Sequence, residues 1–312
     1  MIKEIIEDLL EIKKYKSKLF DSWKDNITYE IITDSWDNFI VQEILWKKTK
    51  KNLLFIDEVT SFINNNNKII FAEKYKQNRF IIHKWKLYQL MKKINWKTIH
   101  EKDINISIIK NTAKYIASFH NEINNFDCSN YEEINYYKKM HSYRLEIEKL
   151  IINNTSIKIN DIFSKMNIIA INLIENKKLP KWIIHWDPSF KNYLINEKQN
   201  IVWLIDYDML SVNNYLWDLA DLIRSYMKSE VFNRKEFEIL INSYNSVRKL
   251  SDLENKELKN YCKMMILDTW FRYLLNSFEV SNQKNLLWDK NDSISKAERC
   301  LWEIKKLEGF YS

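Results

Sequence analysis

Glycine is what this chain lacks. It has one, Gly309, among 312 residues, where a composition near 7% would give roughly 22. Glycine reaches positive φ without a steric penalty, so a fold with many tight turns can hardly be built without it. Tryptophan stands where those glycines are expected. Ser22-Trp23-Lys24, Ser35-Trp36-Asp37, Lys84-Trp85-Lys86 and Asn95-Trp96-Lys97 become ordinary turn signals once Trp is read as Gly. Eight of the twelve tryptophans precede Lys or Asp, an odd habit for a large apolar ring and a normal one for a turn glycine. The simplest account is a gene from a lineage in which UGA encodes glycine, translated with a table in which UGA encodes tryptophan. The surplus of Lys, Asn and Ile fits an AT-rich genome, which would depress the other glycine codons as well.

Other absences narrow the class. No apolar run approaches the roughly 20 residues needed to cross a bilayer. The opening stretch, MIKEIIEDLLEIKKYKSK, mixes charge and apolar residues and has no core of signal-peptide type. Cys128, Cys262 and Cys300 are isolated, odd in number and without metal-ligand spacing, which points to a reduced, cytoplasmic protein. His83, His100, His120 and His141 are equally scattered, and each reads as a surface or core histidine.

What is present describes a folded, globular chain: 46% hydrophobic and 29% charged residues, long enough for one large domain or two lobes. The net charge of +7 is dispersed over separated lysine pairs. No nucleic-acid-binding motif lies beside them, so neither nucleic acid nor membrane is expected as a partner. A mild basic surplus also suits an anionic ligand such as a nucleotide.

Periodicity predicts an amphipathic helix over residues 1–16, then a strand-like region to about residue 94. Strands are expected over 27–33, 39–44, 68–73, 79–83 and 86–92, with one helix over 51–64. Beyond residue 95 the pattern is helical over 104–124, 134–153 and 159–176. A β-rich island follows at 182–195 and 201–206, and helices return from about Asp218. This is an α+β chain in two parts, 1–94 and 95–312.

The island carries the chemistry. Residues 183–210 read IIHWDPSFKNYLINEKQNIVWLIDYDML. One apolar strand runs into His185-x-Asp187 with Asn192 beyond it, and a second ends in Asp206-Tyr207-Asp208. Phosphoryl transfer needs a carboxylate at the acceptor hydroxyl and oxygen donors that hold Mg²⁺ against the phosphates. In this reading Asp187 is the base or hydroxyl-orienting group, Asn192 and Asp206 are the metal ligands, and His185 braces the loop.

With Trp186 and Trp203 read as Gly, the segment resembles the catalytic motif and metal-binding strand of the aminoglycoside phosphotransferase and choline kinase-like family. The tail 215–225, read as YLGDLADLIRS, resembles that family's G-D-x-x-D-x-x-R. Upstream, residues 20–29, with Trp23 and Asn26, resemble its phosphate loop. Residues 90–96, with Met91 and Lys93, resemble its hinge, and 116–120 the helix that follows. The resemblance covers nearly the whole chain and implies a protein-kinase-like bilobal fold, with a small β-rich nucleotide lobe carrying one helix and a large, mainly helical catalytic lobe. It implies ATP and Mg²⁺ as cofactors and a hydroxylated small molecule as acceptor. Gln42 stands where these enzymes usually carry a nucleotide-pairing Lys, as it does in the N-acetylhexosamine 1-kinase-like branch. Glu58 is then the candidate partner near the phosphates, or a solvated helix residue. Asp208 and Arg224 are candidate acceptor contacts; the alternative for Arg224 is a pair with Asp218 or Asp221. A kinase-like binding protein without turnover and a choline- or homoserine-type kinase are the alternatives.

Overall fold

The computed structural model describes residues 2–9, 12–22, 26–34, 38–44, 50–65, 80–84, 86–93, 96–131, 133–152, 157–279 and 290–312. The chain divides into two compact units, Met1–Lys97 and Thr98–Ser312.

The first unit is an antiparallel sheet with one long helix. Its strands are β1 (Tyr15–Ser22), β2 (Asn26–Thr33), β3 (Asn38–Ile44), β4 (Phe80–His83) and β5 (Lys86–Lys92), in the order β1-β2-β3-β5-β4. Alternation places Ile31, Phe39, Val41, Tyr88 and Leu90 in one buried cluster with Ile5 and Ile6. Helix α1 (Lys50–Asn65) buries Phe55, Ile56, Val59 and Ile63, an i, i+1, i+4, i+8 stripe. The helix expected over residues 1–16 is shorter in the structure. Helical turns cover only Ile2–Leu9, and Tyr15 already pairs with Thr33 across the sheet. The sheet edge outcompetes the amphipathic pattern there, because each added strand pair satisfies backbone groups that a frayed helix end leaves open. The strand expected over 68–73 lies outside the described residues.

The second unit is mainly helical: α2 (Ile106–Ile123), α3 (Tyr136–Ile151), α4 (Ile157–Ile171), α5 (Leu216–Met227), α6 (Arg234–Asn245), α7 (Asp252–Glu279) and α8 (Lys290–Phe310). Asparagine supplies the helix starts. The side chains of Asn105, Asn135 and Asn233 each accept from backbone N–H groups in the first turn of α2, α3 and α6. Between α4 and α5 lie β6 (Trp182–Ile184), β7 (Tyr193–Ile195), β8 (Ile201–Leu204) and β9 (Ser211–Asn213). β7 and β8 form a hairpin, and β6 pairs with β9. The centre of the unit is α5, whose twelve residues are all buried. Cys262 and Cys300 are free and buried. Among the described residues no helix is long and apolar enough to cross a membrane.

Candidate active site

A helix buried on every side cannot leave its charges unpaired, and α5 carries three: Asp218, Asp221 and Arg224. Asp218 serves the loop that follows β6. Its carboxylate accepts the backbone N–H of His185 at 2.8 Å and of Trp186 at 2.6 Å. It also meets His120 Nε2 at 3.0 Å. His120 Nδ1 lies 2.7 Å from the Tyr244 hydroxyl, and its ring stacks on Tyr215. Burial pushes Asp218 up to about 7 in spite of these donors, and burial holds His120 well below the usual histidine range. Imidazole is therefore neutral here, with the Tyr244 hydroxyl donating to Nδ1 and Nε2–H donating to Asp218.

The loop so anchored brings together the residues that the spacing singled out. His185 Nε2 donates to the Ile205 carbonyl at 3.1 Å. The Ile205 N–H donates to the Asn192 carbonyl at 2.8 Å. The Asn192 side-chain amide donates to the Asp187 carbonyl at 2.8 Å. One residue, Ile205, is thus gripped by both ends of the motif, and Asp206 follows it directly. Asp206 is exposed and left-handed, at φ 69° and ψ 54°, a conformation that Asp tolerates better than most residues. His185 is fully buried, and burial lowers it to about 4, so it acts as a neutral donor. Asp187 is half-buried. Asp208 is buried in the turn Tyr207–Met209.

With its NH₂ committed to Asp187, the Asn192 amide presents Oδ1 as an acceptor. That oxygen and the Asp206 carboxylate are the two hard oxygen donors of this loop and hairpin that would suit Mg²⁺. Among the described residues no group of three or more His, Cys, Asp or Glu side chains offers a metal site. A two-ligand Mg²⁺ site requires none.

Trp186 is the anomaly. Its φ is 73°, which for a bulky residue is a steric outlier. Its indole lies parallel to the Tyr136 ring with centroids 3.0 Å apart, well inside the 4.5–7 Å at which aromatic pairs settle. Trp217, fully buried, lies 5.2 Å from it.

Arg224 pairs with Asp221 rather than Asp218: its Nε and Nη2 both reach Asp221 Oδ1, at 3.0 and 2.7 Å. Arg272 pairs with Asp268, and Arg144 donates to Asn167. In the first unit, Gln42 Nε2 reaches Thr28 Oγ1 at 3.4 Å, and Gln42 faces Gln89 on β5. Met91 pairs across the sheet with Ile40. The Lys93 N–H donates to the Asn38 carbonyl at 2.7 Å, and its ammonium binds Glu30. Asn26 opens β2, and Glu58 is on the exposed face of α1. Trp23 lies outside the described residues. The support formed by Asp218, His120 and Tyr244 does not follow from the sequence pattern. The signal for it was weak: a histidine ending the apolar helical run 116–120, and an aspartate inside an apolar helix.

No protein-family model matches the chain, and no curated protein matches it. Solved structures do. A spectinomycin phosphotransferase in complex with ADP and spectinomycin is 13% identical, with a TM-score of 0.73, over 98% of each chain. An amicoumacin kinase in complex with AMP-PNP and Ca²⁺ is 12% identical, with a TM-score of 0.69, over 97% of this chain and 92% of that one. Choline kinase LicA from Streptococcus pneumoniae is 16% identical, with a TM-score of 0.61, over 97% of both. The fold is therefore the protein-kinase-like α+β fold, a small antiparallel sheet unit followed by a mainly helical one.

Proposed function

We propose that this chain is an ATP- and Mg²⁺-dependent phosphotransferase of the aminoglycoside phosphotransferase and choline kinase-like family, acting in the cytoplasm on a hydroxyl of a sugar or amino-alcohol. The observation that carries the reading is the closed set of contacts around Ile205, which draws Asp187, Asn192 and Asp206 to one place from both sides of a hairpin. Residues 1–94 form the nucleotide-binding part in this reading, through Trp23, Asn26, Gln42, Glu58, Met91 and Lys93. Residues 95–312 carry catalysis and the acceptor.

Asp187 accepts the hydroxyl proton as the acceptor oxygen approaches phosphorus, or orients that hydroxyl for attack. Mg²⁺, when bound by Asn192 and Asp206, neutralises charge on the phosphate oxygens. His185 keeps the two sides of the site in register as a neutral donor at neutral pH, and Asp218 fixes the loop that carries Asp187. Asp208 and Arg224 face the acceptor. Gln42 tips the acceptor toward a hexosamine phosphorylated at its anomeric hydroxyl.

The same reading takes most of the twelve tryptophans as glycines in the natural protein. It is supported by the left-handed backbone and crowded ring at Trp186. Peptide masses from native material show tryptophan or glycine at 186 and 217 directly.

ADP release measured with N-acetylhexosamines, hexoses, choline, homoserine and kanamycin tests the activity. Asp187→Asn should keep nucleotide binding and lose roughly 10²-fold or more in turnover. Nucleotide binding without turnover on any acceptor would instead mark a kinase-like binding protein.

A further inference from the structure

Beyond Asp187, the buried end of α5 gathers charged groups whose hydrogen-bonding capacity is not filled. Arg224 commits Nε and Nη2 to a single oxygen of Asp221, while Nη1 is buried with no acceptor. One turn further on, Lys228 caps α5, and among the described residues no hydrogen bond or ion pair holds its ammonium. From α8, Arg299 leans toward Glu303 at 3.7 Å. Lys306 donates to the carbonyls of Met227 and Ser229, at 3.0 and 2.9 Å. Four cations, of which Arg299 is the exposed one, therefore gather around Asp221 and Glu303, with Glu230 also near Lys306. The repulsion is felt: Lys228 is lowered to about 8, with Arg224 the largest cause and burial the next. The Phe190 N–H donates to Oγ of Ser225, the neighbour of Arg224, at 3.2 Å, so this stretch of α5 packs on the loop that carries Asp187.

Two buried acceptors complete the arrangement. Asp221 Oδ2 and Glu303 Oε2 have no donor. A ligand that satisfied the cluster would bring anionic oxygens to Arg224 and Lys228, and hydroxyl or amino donors to Asp221 and Glu303. Arg224 and Lys228 lie about 4 and 10 Å along the helix from Asp221.

We propose that Arg224 and Lys228 form an oxyanion subsite, so that the acceptor is a hydroxylated acid carrying a carboxylate or phosphate group. This rests on the phosphotransferase reading for the reaction and puts a sugar or amino-alcohol that carries an acid group in place of a neutral hexosamine. The subsite itself has a readout that needs no turnover.

Thermal unfolding of the full chain in sodium sulfate, against sodium chloride of equal ionic strength, reports oxyanion binding. Sulfate should raise the Tm of the parent chain, and Lys228→Met and Arg224→Gln should each reduce that rise. Equal rises in parent and variants would overturn the subsite. Should one variant fail to fold, the other decides. Where ADP release is seen, glucuronate against glucose and homoserine against ethanolamine test the acceptor, and phosphorylated hydroxy acids distinguish phosphate from carboxylate. The acid of each pair should have the higher kcat/KM. Lys228→Met should lower that value by about tenfold or more, mainly through KM, as expected when a charged hydrogen-bond donor is removed. Preference for the neutral partners, or an equal fall for both, would refute the assignment. Absence of any ATP turnover would sink the kinase reading while leaving the sulfate result to decide the subsite.

Discussion

Replacing Trp186 separates backbone from side chain at the most crowded point of the site. Two variants are needed, Trp186→Gly and Trp186→Ala, because both remove the indole and so share the packing change. Between them only the cost of φ 73° remains. At an ordinary helix or strand position Ala is the more stable of the two, by roughly 0.5–1 kcal/mol. At a left-handed position a Cβ costs about 1–2 kcal/mol, and the order reverses. The expectation is that the Gly variant exceeds the Ala variant by about 1 kcal/mol, the left-handed cost less the extra entropy that glycine loses on folding. For a chain of this size that corresponds to a Tm difference of about 1.5 °C. The comparison with the Trp form has its own sign. A well-packed buried indole is worth about 3–5 kcal/mol, but here left-handed strain of about 1–2 kcal/mol and overpacking of about 1–3 kcal/mol oppose it. The 3.0 Å stack on Tyr136 leaves little packing to lose. The Gly variant should therefore lie within about 2 kcal/mol of the Trp form. Urea denaturation and calorimetry measure both differences. An Ala variant equal to or more stable than the Gly variant would show that residue 186 is not left-handed. A Gly variant some 3 kcal/mol below the Trp form would show that the indole belongs there.

Asp206→Ala should abolish Mg²⁺-dependent nucleotide binding, read by calorimetric titration with and without the metal, because it removes the charged member of the oxygen pair. His185, lowered to about 4 by burial, contributes stability that is full above pH 6.5 and lost as pH falls toward 4. The loss is about 3 kcal/mol at pH 4, and His185→Asn should flatten that limb of the stability–pH curve. Asp218, raised to about 7, acts in the opposite sense. Its contribution is full below the unfolded carboxylate range and lost as pH rises through 7, so Asp218→Asn should steepen the acid limb even as it lowers overall stability. Tyr244→Phe removes the donor to His120 Nδ1 and should cost about 1–3 kcal/mol in unfolding free energy, as a buried acceptor is left unmade.

The parts of this fold that could be read from sequence were those with a local period. Strand β5 over Lys86–Lys92 falls where alternation predicts it, and the island between Trp182 and Leu204 was visible as apolar runs broken by turn residues. β9 was missed, since Ser211–Asn213 is too short to show a period and is a strand only because β6 lies beside it. The N-terminal helix is shorter than its sequence pattern for the complementary reason. Its pattern ran on past Leu9, but Tyr15 onward pairs with β2. The site divides in the same way. Asp187, Asn192 and Asp206 announce themselves by spacing, because their chemistry is tied to one loop and one hairpin. His120 and Tyr244 reach Asp218 from elements 98 residues before it and 26 after it. A hydrogen bond across such a separation leaves no local signature. Arg224 carried two possible partners on its own helix, and only side-chain geometry separated Asp221 from Asp218.

The grip on Ile205 makes a single peptide unit the reporter for the whole constellation. Its N–H is held by Asn192 and its carbonyl by His185, so neither side of the motif can swing away without breaking a bond to that residue. Solvent deuterium can reach the Ile205 amide only through an opening that also uncouples the carboxylate at 187 from the one at 206. The exchange rate at that one backbone position therefore measures how often the machinery comes apart, in the absence of any ligand and before any acceptor is known.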